Sequence, residues 1–145
     1  YGPVNSFMAH SFGGMALTLA MEKIPHNADT SIVLIAPATE TSTAMESAFE
    51  LLRVKDPEVK RHFNDIIFEI SGQKTEWFSI KRAMQNIKAR VLWIHDEDDD
   101  VTPLADALKV KENNHANIRF IITKGLGHKK IYRDTAIKNE VIEFL

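Results

Sequence analysis

Three short segments each place a residue with reactive chemistry directly after a predicted strand. Ser11 lies in the sequence A-H-S-F-G at residues 9–13, between an apolar run and a helical pattern. An acidic segment, D-E-D-D-D at residues 96–100, follows a second apolar run, and His128 ends the sequence K-G-L-G-H after a third. A hydroxyl, a carboxylate and an imidazole are the groups of an activated nucleophile, in which a base takes the nucleophile's proton and an acid orients the base.

The segments between these residues predict alternating strands and helices. Strands are predicted at residues 4–9, 31–36, 90–95 and 118–122, and helices at residues 13–23, within 42–88, from 102–103 onward and around 137–144. Residues 31–36 form a continuous β-branched run, which is typical of a strand covered on both faces. This order predicts an α/β fold with a parallel, doubly wound sheet. Functional groups of such sheets gather beyond the carboxyl ends of the strands, so we expect the three segments to meet there.

The region between the second and third strands is predicted to be a helical insert at residues 37–89. Asp56 and Pro57 suit the N-cap and first position of a helix, and Gly72 suits its end. Two apolar stripes at helical spacing lie in this insert: Val59, Phe63, Ile66, Ile67 and Ile70, and then Trp77, Ile80, Met84 and Ile87. The helix at residues 13–23 is apolar nearly all round, which predicts that it is buried.

The segment around Ser11 has the form small-x-Ser-x-Gly between a strand and a helix. In a nucleophile elbow the serine occupies a strained turn that exposes its Oγ, and small neighbours let the backbone approach closely. Ala9 stands here where such turns usually have a first glycine. The alternative is an ordinary strand-to-helix turn with a serine cap. A string of this form arises by chance in on the order of one chain in ten of this length, so the interpretation depends on the other two segments.

The acidic segment has several interpretations. It could be a solvated turn. A calcium loop is excluded, because an EF-hand loop starting at Asp96 would need Gly at position six and Glu at position twelve, whereas the chain has Val101 and Ala107 there.

The acidic segment also resembles the acid loop of the α/β-hydrolase superfamily. The sequence V-L-W-I-H-D-E-D-D-D-V-T-P is similar to the family pattern V-L-x-I-H-G-x-x-D-x-x-V-P. Counting four residues back from Pro103 gives Asp99, and so does counting three residues on from Asp96, which replaces the usual Gly. Asp98 and Asp100 remain alternatives for the acid.

The sequence G-L-G-H at residues 125–128 resembles the G-x-G-H loop of the same family, in which glycines allow the turn that projects the imidazole. The other five histidines have a surface position as their default interpretation: His10, His26, His62, His95 and His115. A pocket-lining role stays open for His10 and His95, which lie close to the site in sequence. No histidine spacing typical of zinc is present.

The resemblance extends over nearly all 145 residues, and the order Ser, Asp, His is that of α/β-hydrolases. It implies a serine hydrolase that acts on an ester, thioester or amide without a cofactor or metal. Ser11 would be the nucleophile, Asp99 the acid, His128 the base, and the Phe12 N–H one oxyanion donor. A serine nucleophile argues against haloalkane dehalogenases and epoxide hydrolases, which have Asp there. The insert at residues 37–89 matches the place of the family's cap or lid.

By the same resemblance, the chain supplies the fifth to eighth strands of an eight-stranded sheet. The strand at residues 4–9 would then be an open edge, and open edges invite pairing. The expected partners are the N-terminal half of the fold or a homodimer paired edge to edge. The alternative function is a non-catalytic or truncated domain that serves as a binding or interaction module.

Composition excludes several classes of protein. The net charge of −2 does not favour nucleic acid or an anionic membrane surface as a partner, and no apolar run approaches the 18 residues of a membrane span. The absence of cysteine excludes disulfides, thiolate metal sites and a cysteine nucleophile. The start at Tyr1 lacks the features of a signal peptide and resembles a chain entered midway. We expect a cytoplasmic protein that acts on a small-molecule substrate.

Overall fold

The computed structural model describes Gly2 and residues 4–145, in which four strands form one parallel sheet. The strands lie side by side in chain order: β1 (Ser6–His10), β2 (Ser31–Ile35), β3 (Arg90–Asp96) and β4 (Ile118–Thr123). This confirms the predicted α/β class with a parallel sheet. The first strand begins two residues later than predicted and includes His10. Ala36 was predicted to end the second strand, but it adopts φ 44° and starts the following turn.

Seven helices and three short 3₁₀ turns connect and cover the strands of the described part. The helices are α1 (Phe12–Met21), α2 (Thr41–Leu51), α3 (Pro57–Ser71), α4 (Ile80–Ala83), α5 (Leu104–Lys111), α6 (Gly127–Lys130) and α7 (Thr135–Phe144), and the 3₁₀ turns are Thr75–Trp77, Met84–Asn86 and Ile131–Arg133. No helix among these residues is long and apolar enough to span a bilayer.

Alternate residues of the two central strands point to opposite faces of the sheet, and helices cover both faces. On one face Leu34 and Trp93 pack with residues of α1, α4 and α5. On the other face Ile35 and Ile94 pack with Ile131 and with residues of α7. β2 is fully buried, as the continuous β-branched run predicted. The two layers make the sheet doubly wound and hold the carboxyl ends of its strands at one edge.

Helix α1 is less buried than its apolar sequence predicted. It runs from Phe12 to Met21, whereas the sequence indicated residues 13–23. One face, which includes Met15 and Thr18, is buried, whereas Phe12 is 67% exposed. The prediction of burial all round was wrong, because the face of the helix that carries Phe12, Ala16 and Ala20 is exposed in the described part of the chain.

Within the insert, α3 begins and ends where the sequence predicted. Asp56 accepts a hydrogen bond from the Glu58 N–H, Pro57 is the first helical residue, and Gly72 adopts the left-handed conformation with φ 69°. The apolar stripe of α3 is nevertheless not buried. The exposed fractions of Val59, Phe63, Ile66 and Ile70 are 47%, 45%, 50% and 82%.

The second predicted helix of the insert is divided. Residues 75–86 form a 3₁₀ turn, the one-turn helix α4 and another 3₁₀ turn. The break falls at Ser79, which forms an isolated antiparallel bridge with Glu40. Ile80, Met84 and Ile87 are buried in the core beside the sheet, so the last part of the insert belongs to the sheet layer.

Candidate active site

Ser11 lies between the carboxyl end of β1 and the first residue of α1, in a strained conformation. Its φ of 58° and ψ of −131° are values that residues with a side chain rarely adopt. Three backbone hydrogen bonds hold the turn: the Ser11 N–H donates to the Ile35 carbonyl at 3.1 Å, and the N–H groups of Gly14 and Ala38 both donate to the Ser11 carbonyl at 3.0 Å. The turn therefore fixes where the Ser11 hydroxyl points.

The small residues around Ser11 permit this turn to pack closely. A Cβ added at Gly14 would lie 2.6 Å from the Pro37 Cβ, so helix α1 and the loop after β2 need glycine there. A Cβ at Gly13 would lie 3.8 Å from the Ala9 Cβ, an ordinary contact. Ala9, which replaces the usual first glycine of such turns, is thus accommodated without a clash.

The structure places the side chains of Ser11, His128 and Asp99 in one hydrogen-bonded row. Ser11 Oγ lies 3.0 Å from His128 Nε2, and His128 Nδ1 lies 2.9 Å from Asp99 Oδ2. Because a carboxylate only accepts, Nδ1 carries the proton of the neutral imidazole and Nε2 is free to accept from the hydroxyl. The Asp99 side chain is fully buried and that of His128 is 7% exposed.

Asp99 is the acidic residue that faces the imidazole. Its carboxylate also accepts from the Val101 and Thr102 N–H groups at 2.9 and 2.8 Å. Burial raises the pKa of the Asp99 carboxyl, but the hydrogen bonds from Thr102, His128 and Val101 outweigh burial and hold the pKa below its usual range. Asp98 instead accepts from the Gly125 N–H at 2.9 Å. Asp99 is therefore charged at neutral pH and directed at His128.

Thr102 is a site residue that the sequence interpretation missed. Its Oγ1 lies 2.9 Å from Asp99 Oδ2, 3.2 Å from His128 Nδ1 and 3.2 Å from the Ala36 carbonyl oxygen. The hydroxyl thus joins the acid, the base and the loop after β2. The available signal was local, because an Asp that accepts from the N–H groups two and three residues on is a recurring turn before a helix.

His95 lies beneath the acid, and its predicted surface position was wrong. It is fully buried in β3, and its Nε2 donates to the Thr102 carbonyl at 2.7 Å. Burial lowers the pKa of His95, so the ring is neutral. His95 belongs to the core because the alternation of β3 turns it toward the acid loop.

His10 is partly buried beside the base. Its Nε2 donates to the His128 carbonyl at 3.1 Å, and its ring lies between the rings of His128 and Tyr132 at centroid distances of 4.6 and 4.8 Å. Burial lowers the pKa of His10. The residue before Ser11 thus contacts His128. His10 is partly exposed and lines a cavity against β1 and α7, so the structure agrees with the pocket-lining role that was left open for it.

The sequence predicts a loop at His128, but the structure places this residue on the short helix α6. Two glycines precede it with positive φ, 86° at Gly125 and 57° at Gly127. The chain turns sharply at these residues after β4, and the imidazole then points to β1 and β3. The glycines therefore have the role that the sequence assigned to them, although the secondary structure differs.

The Phe12 N–H lies directly after Ser11 at the start of helix α1. It is the first N–H of this helix, where N–H groups have no acceptor within the helix and the helix dipole favours negative charge.

A cavity of about 500 Å³ lies nearby against β1 and α7, and its walls include Met8, His10 and Tyr132 but not Ser11. This cavity follows the open side of β1 and does not contain the hydroxyl.

Comparisons with known proteins agree with this architecture. No protein-family model and no curated protein sequence matches the chain. An esterase from Pyrococcus furiosus is similar in structure, with a TM-score of 0.69, 17% identity, and coverage of 97% of this chain and 52% of that chain. Acetyl xylan esterase 1 from a Thermoanaerobacterium species has a TM-score of 0.65 and 16% identity, with 96% and 44% covered.

A monoacylglycerol lipase from Paleococcus ferrophilus is also similar, with a TM-score of 0.58, 20% identity, and coverage of 98% of this chain and 66% of that chain. The chain spans about half the length of the Pyrococcus furiosus esterase. At these identities the likeness concerns the fold. The described strands and helices correspond to the C-terminal half of the fold that these hydrolases share, and the chain has an α/β-hydrolase-like fold.

Proposed function

We propose that the protein is a serine hydrolase that cleaves a carboxylic ester, thioester or amide through an acyl-enzyme. The observation that supports this most directly is the row of Ser11 Oγ, His128 Nε2, His128 Nδ1 and Asp99 Oδ2, with successive hydrogen bonds of 3.0 and 2.9 Å. The strained backbone of Ser11 adds to it, because such strain clusters at functional sites.

The proposed reaction begins when His128 Nε2 takes the proton of the Ser11 hydroxyl as its oxygen attacks the substrate carbonyl carbon. The carbonyl oxygen becomes an oxyanion, which the Phe12 N–H stabilises, while Asp99 stabilises the imidazolium. His128 then gives the proton to the leaving group. Water, activated by His128 in the same way, hydrolyses the acyl-enzyme and restores the Ser11 hydroxyl.

A fluorophosphonate probe and a short p-nitrophenyl ester test the proposed function. We expect the probe to label Ser11, and we expect Ser11→Ala to abolish labelling and to lower kcat by roughly 10⁴–10⁶. Ser6→Ala, which changes an exposed serine of β1, is the matched control and should leave both unchanged. A Ser11→Ala variant with activity within tenfold of the parent would remove Ser11 from the mechanism.

The insert supports a proposal on the substrate. We propose that residues 37–89 include a cap over the site and that its aromatic residues favour an apolar acyl or alcohol group. Phe63 and Phe68 of α3 are 45% and 53% exposed, so aromatic surface is available to a ligand. Hydrolysis rates for p-nitrophenyl esters from two to twelve carbons test this proposal, and a preference for the two-carbon ester would contradict it.

A binding or interaction module is the second candidate function, and the open edge of β1 favours it. Among the described residues, β1 pairs with β2 alone, and Met8 is 61% exposed. The proposed occupant of this edge is the N-terminal half of the fold or a second copy of the chain. A chain that binds such a partner but leaves Ser11 unlabelled would be a module and not an enzyme. The cytoplasmic location remains a prediction.

A further inference from the structure

Asp96 stands where the α/β-hydrolase pattern has glycine, and both oxygens of its carboxylate accept hydrogen bonds. The residue is buried at the carboxyl end of β3. Its side chain accepts four hydrogen bonds: from the Asp98 N–H at 3.0 Å, the Gly127 N–H at 2.9 Å, the Leu126 N–H at 3.1 Å and the Thr123 hydroxyl at 2.6 Å. A glycine could make none of these bonds, so the chain has a feature here that the pattern does not predict.

Three of the four donors belong to the segment that leads to His128. Thr123 ends β4, and Leu126 and Gly127 directly precede the base. Helix α6 has only four residues, and Leu126 at its N-cap provides no side-chain hydrogen bond. Asp96 therefore takes the place of a capping residue for the helix that carries His128.

The two loops are in close contact where Asp96 joins them. A Cβ added at Gly127 would lie 3.4 Å from the Asp98 carbonyl oxygen, and the Gly125 N–H donates to the Asp98 carboxylate. The backbone of residues 125–127 thus lies against the acidic segment through three consecutive N–H groups. A shift of this backbone would move the His128 ring relative to Asp99.

The Asp96 carboxyl carries a negative charge at neutral pH. Burial raises its pKa, but the hydrogen bonds from Thr123, Gly127, Asp98 and Leu126 outweigh burial and hold the pKa below its usual range. A charged carboxylate accepts hydrogen bonds at both oxygens, and bonds to a charged acceptor are stronger than those to a neutral one. The four hydrogen bonds that join Asp96 to its neighbours are therefore charge-assisted.

We propose that Asp96 is a positioning residue for His128, which it holds in line between Ser11 and Asp99 by fixing the backbone of residues 125–127. The proposal rests on the proposed function of Ser11 and His128. Asp96 does not reach the reacting atoms, and its effect passes through the base. The general reason is that loss of alignment between a nucleophile and its base slows the chemical step more than substrate binding.

Asp96→Asn and Asp96→Ala test the proposal, with Asp100→Asn as the matched control because Asp100 is an exposed carboxylate of the same segment. We expect both Asp96 variants to lower kcat for a p-nitrophenyl ester tenfold or more while KM stays within twofold. In Asp96→Asn one amide N–H opposes the Leu126 N–H, so the isosteric change does not rescue the activity. Asp100→Asn should keep both constants within twofold.

A double-mutant cycle separates positioning from a general effect on stability. In a His128→Ala background we expect a low rate of Ser11 phosphonylation, and Asp96→Asn should lower it no further. An equal loss in both backgrounds would overturn the proposal, as would a kcat of Asp96→Asn within twofold of the parent. If the Asp96 variants do not fold, Thr123→Val removes one of the four bonds and should lower kcat severalfold.

Proton NMR of the His128 ring gives a result that does not depend on catalysis. The hydrogen-bonded Nδ1–H of His128 should give a downfield resonance in the parent and in Asp100→Asn, and Asp96→Asn should broaden or shift it. If the parent does not react with the fluorophosphonate, the proposed function fails, and the NMR comparison still decides whether Asp96 positions the ring. An identical resonance in parent and Asp96→Asn would overturn the inference.

Discussion

Gly14 and Gly13 are neighbours in sequence, but the structure makes opposite demands on them. An added Cβ at Gly14 would lie 2.6 Å from the Pro37 Cβ and 3.3 Å from the Pro37 Cα. Gly14→Ala must therefore displace α1 from the loop after β2, and we expect it to lower the free energy of unfolding by about 1–3 kcal/mol, as overpacking of a filled core does. Urea unfolding followed by circular dichroism measures this loss.

Gly13→Ala is the control for Gly14→Ala. Its Cβ would meet the Ala9 Cβ at an ordinary 3.8 Å, and alanine favours a helix over glycine by roughly 0.5–1 kcal/mol. We expect the Gly13 variant to be at least as stable as the parent. Equal losses for the two variants would mean that the elbow, and not the Pro37 contact, sets the cost.

Short motifs around Ser11 and His128, and counting within the acid segment, selected three side chains that the fold brings within hydrogen-bonding distance. Their catalytic roles remain predictions. The sequence interpretation assigned no site role to Asp96 or Thr102. Asp96 is bonded to residues that are 27 to 31 positions away, and no local pattern records such contacts. The long-range bonds of Asp96 became visible only with the fold, whereas the turn that places Thr102 beside Asp99 has a local signal that the sequence interpretation did not use.

A side-chain cluster centred on Arg82 joins α4 to the end of α1. The guanidinium donates to both carboxylate oxygens of Glu22, its Nε donates to the Trp77 carbonyl at 2.8 Å, and it lies 4.1 Å from the Trp77 ring centroid. The Arg82 side chain is 31% exposed and that of Glu22 is 10% exposed. We expect Arg82→Ala to lower the free energy of unfolding by roughly 1.5–3 kcal/mol, the range for hydrogen bonds to charged groups.

The pH dependence of this loss identifies its origin. The hydrogen bond from Arg82 lowers the pKa of Glu22, so the folded carboxylate holds its proton less tightly than the unfolded one, whose pKa is about 4.3. The stabilisation is therefore present above that value and is lost as the pH falls through the folded pKa. The difference between parent and Arg82→Ala should shrink from pH 7 to pH 3.

Arg82→Lys keeps the charge but not the two-pronged geometry, and it should lie between the parent and Arg82→Ala at pH 7. A difference between parent and Arg82→Ala that is the same at both pH values would assign the loss to the packing of Arg82 on Trp77 and not to the ion pair. Chemical denaturation at the two pH values supplies these free energies.

Among the elements, strands were predicted more closely than helix environments. The apolar run of β2 indicated a strand covered on both faces, and β2 is fully buried. The stripe on α3 has the spacing of a packed helix, but Ile70 on it is 82% exposed. Periodicity shows that a helix has an apolar face, but what covers that face depends on the rest of the fold. The break at Ser79 was equally invisible, because the Glu40 bridge joins residues far apart in sequence.

At the scale of the molecule, the parallel, doubly wound sheet followed from the alternation of strand and helix patterns, whereas the side-by-side order of its strands was seen only in the structure. The similar solved structures have the same fold, and the chain spans about half the length of the Pyrococcus furiosus esterase. The remaining question at this scale is what lies against β1. Met8 on this strand is 61% exposed, and an exposed apolar edge strand is a template for pairing.

The hydrogen-bond register shows which groups of β1 a partner would use. The Asn5 carbonyl accepts from the Ser31 N–H, and the Ser11 N–H donates to the Ile35 carbonyl. In a parallel pair the residues that bond to the neighbouring strand alternate, so the odd-numbered residues of β1 face β2. The even-numbered residues, which include Met8, turn their N–H and carbonyl groups outward.

Met8→Pro therefore removes an outward N–H without removing a bond to β2, and Pro is tolerated on edge strands. We expect the parent chain to self-associate through this edge in sedimentation velocity at high concentration, and Met8→Pro to weaken that association at least tenfold. Met8→Ala is the matched control: it loses the same exposed side chain but keeps the N–H, so it should associate nearly as well as the parent if backbone pairing dominates.

A parent that stays monomeric throughout would exclude the edge-paired homodimer and leave the N-terminal half of the fold as the proposed occupant. Equal association of parent and Met8→Pro would instead assign the contact to another apolar surface, such as the exposed face of α3.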